Sequence, residues 1–463
     1  MSDADVPGGP QGSSDAPESA TAAVIEAARE SDLGLVVGTL LAVYAAAALL
    51  TFSDGLNSVV GLLETLTFLG LVYALTALAL NLHWGYTGLF NIGVAGFMAV
   101  GVYTMGMVVR SPDPAFGPPG LGLPLPVGIL AGMGMAGLLG AVAALPALRL
   151  KADYLAIVTL GLSEIVRLSL QSSAFDNFLR DTIGAGTGGG RGMGMPDNPV
   201  RDLFLVDGQA GTPTAFGDLV FGVFGTDGLG IAHPILIGWG YIAVLAGFLV
   251  GFYLLLERLG RSPFGRVMKA IREDELVADS LGKDVNLVKI KVFVIGCALM
   301  GLAGILWFGS QGNVSPTPQF RPLLTFYVFI AVIIGGSGSN TGSVLGGIVF
   351  AAALFEGPRR VGATVRGLID AQTPASFADA LISLDPVTLL AYATDNVAPL
   401  QFVFLRIVLV VIIPRRPEGS LGDRIQTSPP VDLSGRPDGR DPDDYTPPRG
   451  ARRGRPARAR RTD

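Results

Sequence analysis

Several windows of this chain run for about twenty residues with almost no charge, and that segregation restricts the fold more than any other feature. A backbone held in hydrocarbon must satisfy its own hydrogen bonds, and about twenty apolar residues in helical form match the thickness of a bilayer core. The windows fall at roughly 33–52, 60–82, 91–110, 125–148, 153–171, 234–256, 288–309, 323–335, 341–356 and 398–414. Half the residues are apolar and 15% are charged, which departs from ordinary soluble usage. The expectation is an all-α integral membrane protein, a polytopic helical bundle with about ten transmembrane helices.

Charge also divides the chain into domains. Residues 1–32 form an acidic, Ser/Ala/Gly-rich stretch without the basic start or cleavage pattern of a signal peptide, and read as a disordered cytoplasmic tail. Residues 33–417 make the transmembrane domain, with a polar loop at 257–289. Residues 418–463 read as a second disordered tail, closing on an Arg-rich run from Arg449 to Arg461 that suits a solvated tail near anionic lipid better than a nucleic-acid arm. Orientation follows from Arg149, Lys151, the eight basic residues between Arg258 and Lys291, and Arg415 with Arg416, all expected on the cytoplasmic side of a plasma membrane. Even parity then puts both termini inside and 172–232 and 357–399 outside, although Arg359, Arg360 and Arg366 pull the second segment the other way. Scarce lysine and the acidic N-terminal tail are the balance expected of a protein from a halophile, hydrated in concentrated salt.

The polar loop builds structure where a connection needs only a few residues. Ser262 and Pro263 suit a helix cap and first position, Phe264, Val267, Met268 and Ile271 recur at helical spacing, and Val277 and Leu281 continue an apolar face that Gly282 ends. Such a loop is built to be gripped by another protein.

Two glycine-rich turns interrupt apolar windows: Trp84-Gly-Tyr-Thr-Gly-Leu-Phe-Asn91, with Asn81 just before it, and Gly335-Gly-Ser-Gly-Ser-Asn-Thr-Gly342. Non-helical backbone at membrane depth lines a cavity or lies buried in protein, and paired breaks often flank a transport site, although a short cytoplasmic turn is the plainer reading of the second break. Candidate translocation residues are therefore Asn81, Gly85, Asn91, Gly93, Gly336 and Gly338, together with Glu164. Glu64, Glu164, Arg167 and Arg406 lie in apolar windows, where a charge costs about 2.5–3.5 kcal/mol. Glu164 and Arg167, at i and i+3, are expected to pair, leaving Arg406 to find a partner on another helix. Gly132, Ala136, Gly140 and Ala144 form a small-residue stripe for close helix packing, and Trp239 and Tyr241 are expected as interfacial anchors.

Catalytic signatures do not emerge. Cys297 is the single cysteine and His83 and His233 are far apart, so neither an internal disulfide nor a Cys/His metal site is expected. The turn at 335–342 lacks the Gly-Lys-Ser/Thr ending of a phosphate loop, and nucleophile-elbow and zinc-protease motifs are missing. An enzyme is not indicated; active transport would draw on an ion gradient or a partner ATPase.

The chain resembles the M-type membrane permeases of branched-chain amino-acid ABC importers. The resemblance is carried by Tyr73-Ala-Leu-Thr-Ala-Leu-Ala-Leu-Asn-Leu-His-Trp-Gly-Tyr-Thr-Gly88 with Asn91-Ile-Gly-Val-Ala-Gly-Phe97, by Leu148-Arg-Leu-Lys-Ala-Asp-Tyr-Leu-Ala-Ile-Val-Thr-Leu160, by Ser163-Glu-Ile-Val-Arg-Leu168 and by Thr187-Gly-Gly. Gly265-Arg-Val-Met-Lys-Ala-Ile-Arg-Glu273 with Ala278 and Leu281-Gly282, Val314-Ser-Pro316, Gly335-Gly-Ser-Gly338 and Arg416-Pro-Glu-Gly419 complete it, over roughly residues 60–420. The resemblance implies an ABC importer permease fold in which the polar loop forms coupling helices on an ATPase, through Arg266, Val267, Ile271, Arg272, Glu275, Ala278 and Gly282. Glu275-Leu-Val-Ala-Asp-Ser-Leu-Gly282 departs slightly from the family's frequent Glu-x-Ala-Ala, which bears on individual contacts. Implied partners are two ABC ATPase subunits, a sister permease, an extracytoplasmic solute-binding protein and membrane lipid, with no nucleic acid. The chain itself would bind no cofactor, ATP and Mg residing on the partner subunits. Leucine, isoleucine and valine are the implied cargo. Urea or short amides on the same scaffold, an ion-coupled secondary transporter, and a membrane scaffold working through its Arg-rich tail are the alternatives.

Overall fold

The structure is a computed structural model, and it describes residues 32–395 apart from 52–54, 115, 148–151, 207–211, 227, 353–356, 359–361, 363–365 and 367–372. Nine of the ten expected windows carry helices: α1 (Asp32–Thr51), α2 (Leu56–Thr87), α3 (Val94–Val109), α4 (Leu125–Ala147), α5 (Ala152–Gln171), α9 (His233–Arg261), α12 (Val285–Phe308), α14 (Pro322–Gly335) and α15 (Asn340–Val349). The window at 398–414 lies outside the described residues, as do Arg406, Arg415, Arg416, Arg149, Lys151, Arg359, Arg360 and nearly all of both tails. Between the windows stand α6 (Ser173–Ile183), α7 (Pro199–Phe204), α8 (Ala215–Phe224), α10 (Pro263–Glu273), α11 (Glu275–Ser280), α13 (Pro316–Gln319), α16 (Phe377–Ile382) and α17 (Pro386–Asp395). The described strands are β1 (Met193–Gly194) and β2 (Asn313–Val314), antiparallel with Met193 opposite Val314.

Among the described residues six helical stretches are long and apolar enough to cross a bilayer: α2, most of α4, most of α5, α9, α12 and residues 316–335. α1, α3 and α15 are shorter apolar helices. Two of these, α3 and α15, are buried along most of their length, so neighbouring helices rather than lipid cover them and their length need not match the hydrocarbon.

At the centre is α2, buried on every side from Gly70 to His83, because α9, α12, α14 and α15 surround it. α3, α4 and α12 make a second packed layer. Small residues allow their backbones to touch: a Cβ on Gly132 would collide with the Gly101 carbonyl, and one on Gly140 would stand 2.8 Å from Cys297 Sγ. This is the contact expected of the stripe at Gly132, Ala136 and Gly140. In the same region the Tyr241 hydroxyl donates to the Leu306 carbonyl at 2.6 Å, tying α9 to α12.

At 29 residues, α9 spans about 44 Å at 1.5 Å per residue. Its start packs on α7 and α8, and its end runs into α10. α12 begins beside α11 and ends just before β2, so the polar loop and the segment 172–232 occupy opposite ends of the bundle. On the 172–232 side, the Asp176 carboxylate accepts from the Thr187 and Gly188 amides at 2.6 and 2.8 Å and pairs with Arg180 at 2.7 Å, closing the glycine-rich loop.

Candidate functional site

The polar loop folds as a two-helix arm, and each start is capped by its own sequence. The Ser262 hydroxyl accepts from the Gly265 amide at 3.1 Å with Pro263 at the first position of α10. The Asp274 carboxylate accepts from the Leu276 and Val277 amides at 2.9 and 3.1 Å and starts α11, and Asp284 accepts from Leu287 at 2.9 Å to start α12. After α11, Gly282 takes a φ of 74°, which lets the chain reverse where a side chain would be strained.

The apolar stripe of α10 faces inward. Met268 and Ile271 are buried, and Ile271 packs with Ala278 and Val285 while Val267 and Val288 close the cluster. Ile271 and Ala278 are thus the arm's underside. Its outward surface carries Arg266, Lys269, Glu273 and Val277, with Leu276 78% and Leu281 72% exposed and Gly282 beside them.

Two polar contacts brace the arm to the bundle. Arg272 Nη1 donates to the Gly85 carbonyl at 2.5 Å, and its aliphatic stem lies against Gly88. That carbonyl is in the last turn of α2, where helical C=O groups lack partners within the helix and a cation is favoured by the helix dipole. The second brace is Glu275 with Lys289, Oε2 to Nζ 2.5 Å, from the first turn of α11 to the buried start of α12. Arg272 and Glu275 therefore hold the arm to this chain's own helices. Neither brace had a signal in the sequence: Lys289 looked like one more basic residue of the loop, and a carbonyl has no identity that spacing can reveal.

The two glycine turns meet directly above the first brace. The Gly338 amide donates to Asn81 Oδ1 at 2.8 Å, and Asn81 Nδ2 donates to Asn340 Oδ1 at 3.3 Å. A Cβ on Gly85 would overlap Asn81 Oδ1 and stand 2.5 Å from the Gly338 nitrogen. Gly336 and Gly338 hold φ values of 103° and 92°, which the turn between α14 and α15 requires. Asn91 serves the other side: its Nδ2 donates to His83 Nδ1 at 3.1 Å and its Oδ1 accepts from the Gly93 amide at 2.8 Å.

His83 Nε2 faces the Val292 and Phe293 carbonyls at 3.2 and 3.1 Å, and its ring stacks on Phe293 at 4.9 Å. Carbonyls only accept, so Nε2 carries the proton and Nδ1 is the acceptor for Asn91, the neutral tautomer. Gly93 packs on α5, where a Cβ would come within 2.8 Å of the Thr159 carbonyl. Asn81, Gly85, Asn91, Gly93 and Gly338 thus form a buried hub in which the breaks are packed against each other. A cavity of about 680 Å³ lies elsewhere, between α3, α4, α5 and α6.

Glu164 joins none of these contacts. It pairs on its own helix with Arg167, whose Nε donates to Oε2 at 2.9 Å while Nη2 meets Oε1. The expected ion pair is present, away from the hub.

Residues 62–355 match the family of the branched-chain amino acid transport system permease component. The chain is similar to the high-affinity branched-chain amino acid transport system permease protein LivM of Salmonella typhimurium, 31% identical over 283 residues that cover 60% of each chain. It is 32% identical over 283 residues to the protein of the same description from Escherichia coli, covering 61% of this chain and 60% of the other. The probable branched-chain amino acid transport permease protein LivM of Methanocaldococcus jannaschii is 28% identical over 303 residues, 59% of this chain and 75% of the relative. The chain spans three-fifths of the length of the two bacterial relatives. No solved structure matches it.

Proposed function

The chain belongs to the family of branched-chain amino acid transport permease components, and from that premise we propose that it is one membrane subunit of an ATP-driven importer of leucine, isoleucine and valine. The arm is the point at which two ATPase subunits couple to the membrane part, and it faces the cytoplasm because its basic residues belong on that side. A sister permease completes the membrane part, and an extracytoplasmic solute-binding protein delivers cargo to the end that carries the segment 172–232. Both termini are cytoplasmic.

The observation that carries this reading is the two-sidedness of the arm. Its underside is braced to α2 and α12 by Arg272 and Glu275, while Leu276, Val277 and Leu281 project from it uncovered. A solvated loop has no reason to hold leucines outward on a rigid base, whereas a groove on a partner can bury them. When ATP binding draws the ATPase subunits together, a braced arm transfers that displacement to the ends of α2 and α12 instead of absorbing it.

Reconstitution with the two ATPases, the sister permease and the binding protein provides the test. Uptake of labelled leucine should require ATP and binding protein, be displaced by isoleucine and valine, and persist in excess urea. Gradient-driven uptake by the chain alone, or displacement by urea and not by valine, would defeat the reading.

A further inference from the structure

At the end of the bundle that carries the segment 172–232, helices α3, α4, α7, α9 and α12 surround a cavity of about 350 Å³. Local contacts fix its walls. The Met195 amide, just after β1, donates to the Gly312 carbonyl at 2.8 Å, which brings Pro196 and Asp197 to the same hollow as Gly309 and Ser310 at the end of α12. α7 is seated on α9 at Gly240, where a Cβ would stand 2.8 Å from the Phe204 ring and 3.0 Å from Val200. Tyr241 completes the wall between α9 and α12, its hydroxyl spent on the Leu306 carbonyl.

The lining divides by chemistry. Leu125, Ile129, Leu203, Val244, Phe248 and Ile305 offer only branched and aromatic surface, while Asp197 and Asn198 stand together on one side. Among the described residues the Asp197 carboxylate meets neither a cation nor a hydrogen-bond donor. Asn198 accepts at Oδ1 from the Val200 amide at 3.0 Å, and its Nδ2 has no partner among the described residues. No lysine, arginine or histidine lines the cavity, so a phospholipid whose chain entered it would bring a phosphate toward Asp197 with no cation to meet it. Urea, polar on every edge, would leave its donors unmet against such walls. The volume is at the small end of the range of small-molecule sites, roughly 300–1,000 Å³. An amino acid with a branched apolar side chain satisfies every part: the side chain fills the apolar walls, the ammonium meets Asp197 and the carboxylate takes the Asn198 amide.

We propose that this cavity is a transit site for a zwitterionic amino acid with a branched apolar side chain, with Asp197 as the counter-charge of its ammonium. The proposal rests on the importer reading above and adds to it a place on this chain where cargo is selected.

Photo-leucine, the diazirine analogue of leucine, is the probe, supplied to the assembled importer in proteoliposomes with its binding protein and ATP. Illumination should place adducts on Ile129, Leu203 or Val244, suppressed by excess leucine and not by urea. Asp197→Asn should lower their yield at least tenfold and Asp197→Glu should recover at least half of it, whereas Asp202→Asn, at an exposed position of α7 outside the cavity, should leave it unchanged. Val244→Trp, which fills the cavity from its wall, should abolish the adducts, and it carries the result should the Asp197 variants fail to assemble. Adducts found only elsewhere in the assembly, an equal fall with Asp197→Asn and Asp202→Asn, or a diazirine phospholipid that labels the cavity and is not displaced by leucine would overturn the assignment. Leucine uptake that continues while the cavity stays unlabelled counts against the site alone; a labelled cavity without ATP-dependent uptake counts against the importer reading alone.

Discussion

Replacing Gly85 with alanine tests the hub most directly, because the structure sets opposing terms against each other. Gly85 is in the last turn of α2, where alanine gains about 0.5–1 kcal/mol over glycine from backbone entropy alone. Against that, the new methyl overlaps Asn81 Oδ1 and lies 2.5 Å from the Gly338 nitrogen. Driving the Asn81 amide aside leaves the Gly338 N–H without its 2.8 Å acceptor, at about 1–3 kcal/mol, and crowding backbone that cannot rotate away adds about 1–3 kcal/mol. The net expectation is a loss of roughly 3 kcal/mol. Gly134→Ala on α4 is the matched comparison, since a Cβ there meets nothing within 4 Å and should be neutral or stabilising. Both are measured as unfolding free energies by steric trapping in bicelles. An Asn81→Ala background provides the second arm: with that side chain gone, one of the two collisions disappears and the penalty for Gly85→Ala should shrink by about 1–2 kcal/mol. Equal stability of the Gly85 and Gly134 variants, or a penalty unchanged by Asn81→Ala, would refute the argument.

Glu275→Gln leaves the Lys289 ammonium, 8% exposed, without its carboxylate; because Glu275 is itself half exposed, the cost is about 1–2 kcal/mol rather than that of a fully buried pair. Solute moved per ATP hydrolysed should fall severalfold while the ATPase remains bound, as read by parallel uptake and phosphate-release assays. Leu276→Asp combined with Leu281→Asp should weaken ATPase binding at least tenfold, since burying one leucine is worth about 1.5–3 kcal/mol, yet leave the unfolding free energy of the lone chain unchanged because both side chains are already uncovered. Cys297, fully buried beside Gly140, should resist a maleimide in the native protein and react only as fast as the chain unfolds, which mass spectrometry can follow.

The spanning helices and the caps of the arm were legible in the sequence because both depend on short stretches. A charge-free window reports bilayer thickness, and Ser262-Pro263 or Gly282 marks a helix end, without reference to anything distant. The orientation of the arm was not legible. Phe264, Val267, Met268 and Ile271 announce an apolar face, but periodicity does not say whether the surface covering it is the bundle or a partner, and here the ends of α2 and α12 take it. On the outward surface, Val277 and Leu281 stand four apart and were legible as an apolar face, whereas Leu276 falls off that spacing. Likewise the two glycine turns could be located but not joined: Asn81 and Gly338 are 257 positions apart, and only the fold shows that one side chain serves both. Glu164 and Arg167 were legible as a pair, through their i, i+3 spacing, whereas the uncovered face around them was not.

The braces differ from the hub in a way that bears on how motion crosses the chain. Arg272 holds a carbonyl that the last turn of α2 leaves without an intrahelical partner, and Glu275 reaches Lys289, the fifth residue of α12. Grips on helix ends can be pulled without breaking a hydrogen bond inside either helix. One turn before the first grip, Asn81 couples α2 to the start of α15, so a shift of Gly85 along the helix axis also displaces the turn at Gly338. Rotation about the α2 axis is resisted differently, because His83 stacks on Phe293 and faces two carbonyls of α12. Displacement of the arm should therefore carry α2, α12 and the α14–α15 turn together as one body. α9 belongs to that body as well, since Tyr241 holds the Leu306 carbonyl of α12 at 2.6 Å and the Tyr253 hydroxyl bonds that of Thr341 in α15 at 2.9 Å. The little-buried α5, packed mainly on α3, is then the spanning helix least tied to it.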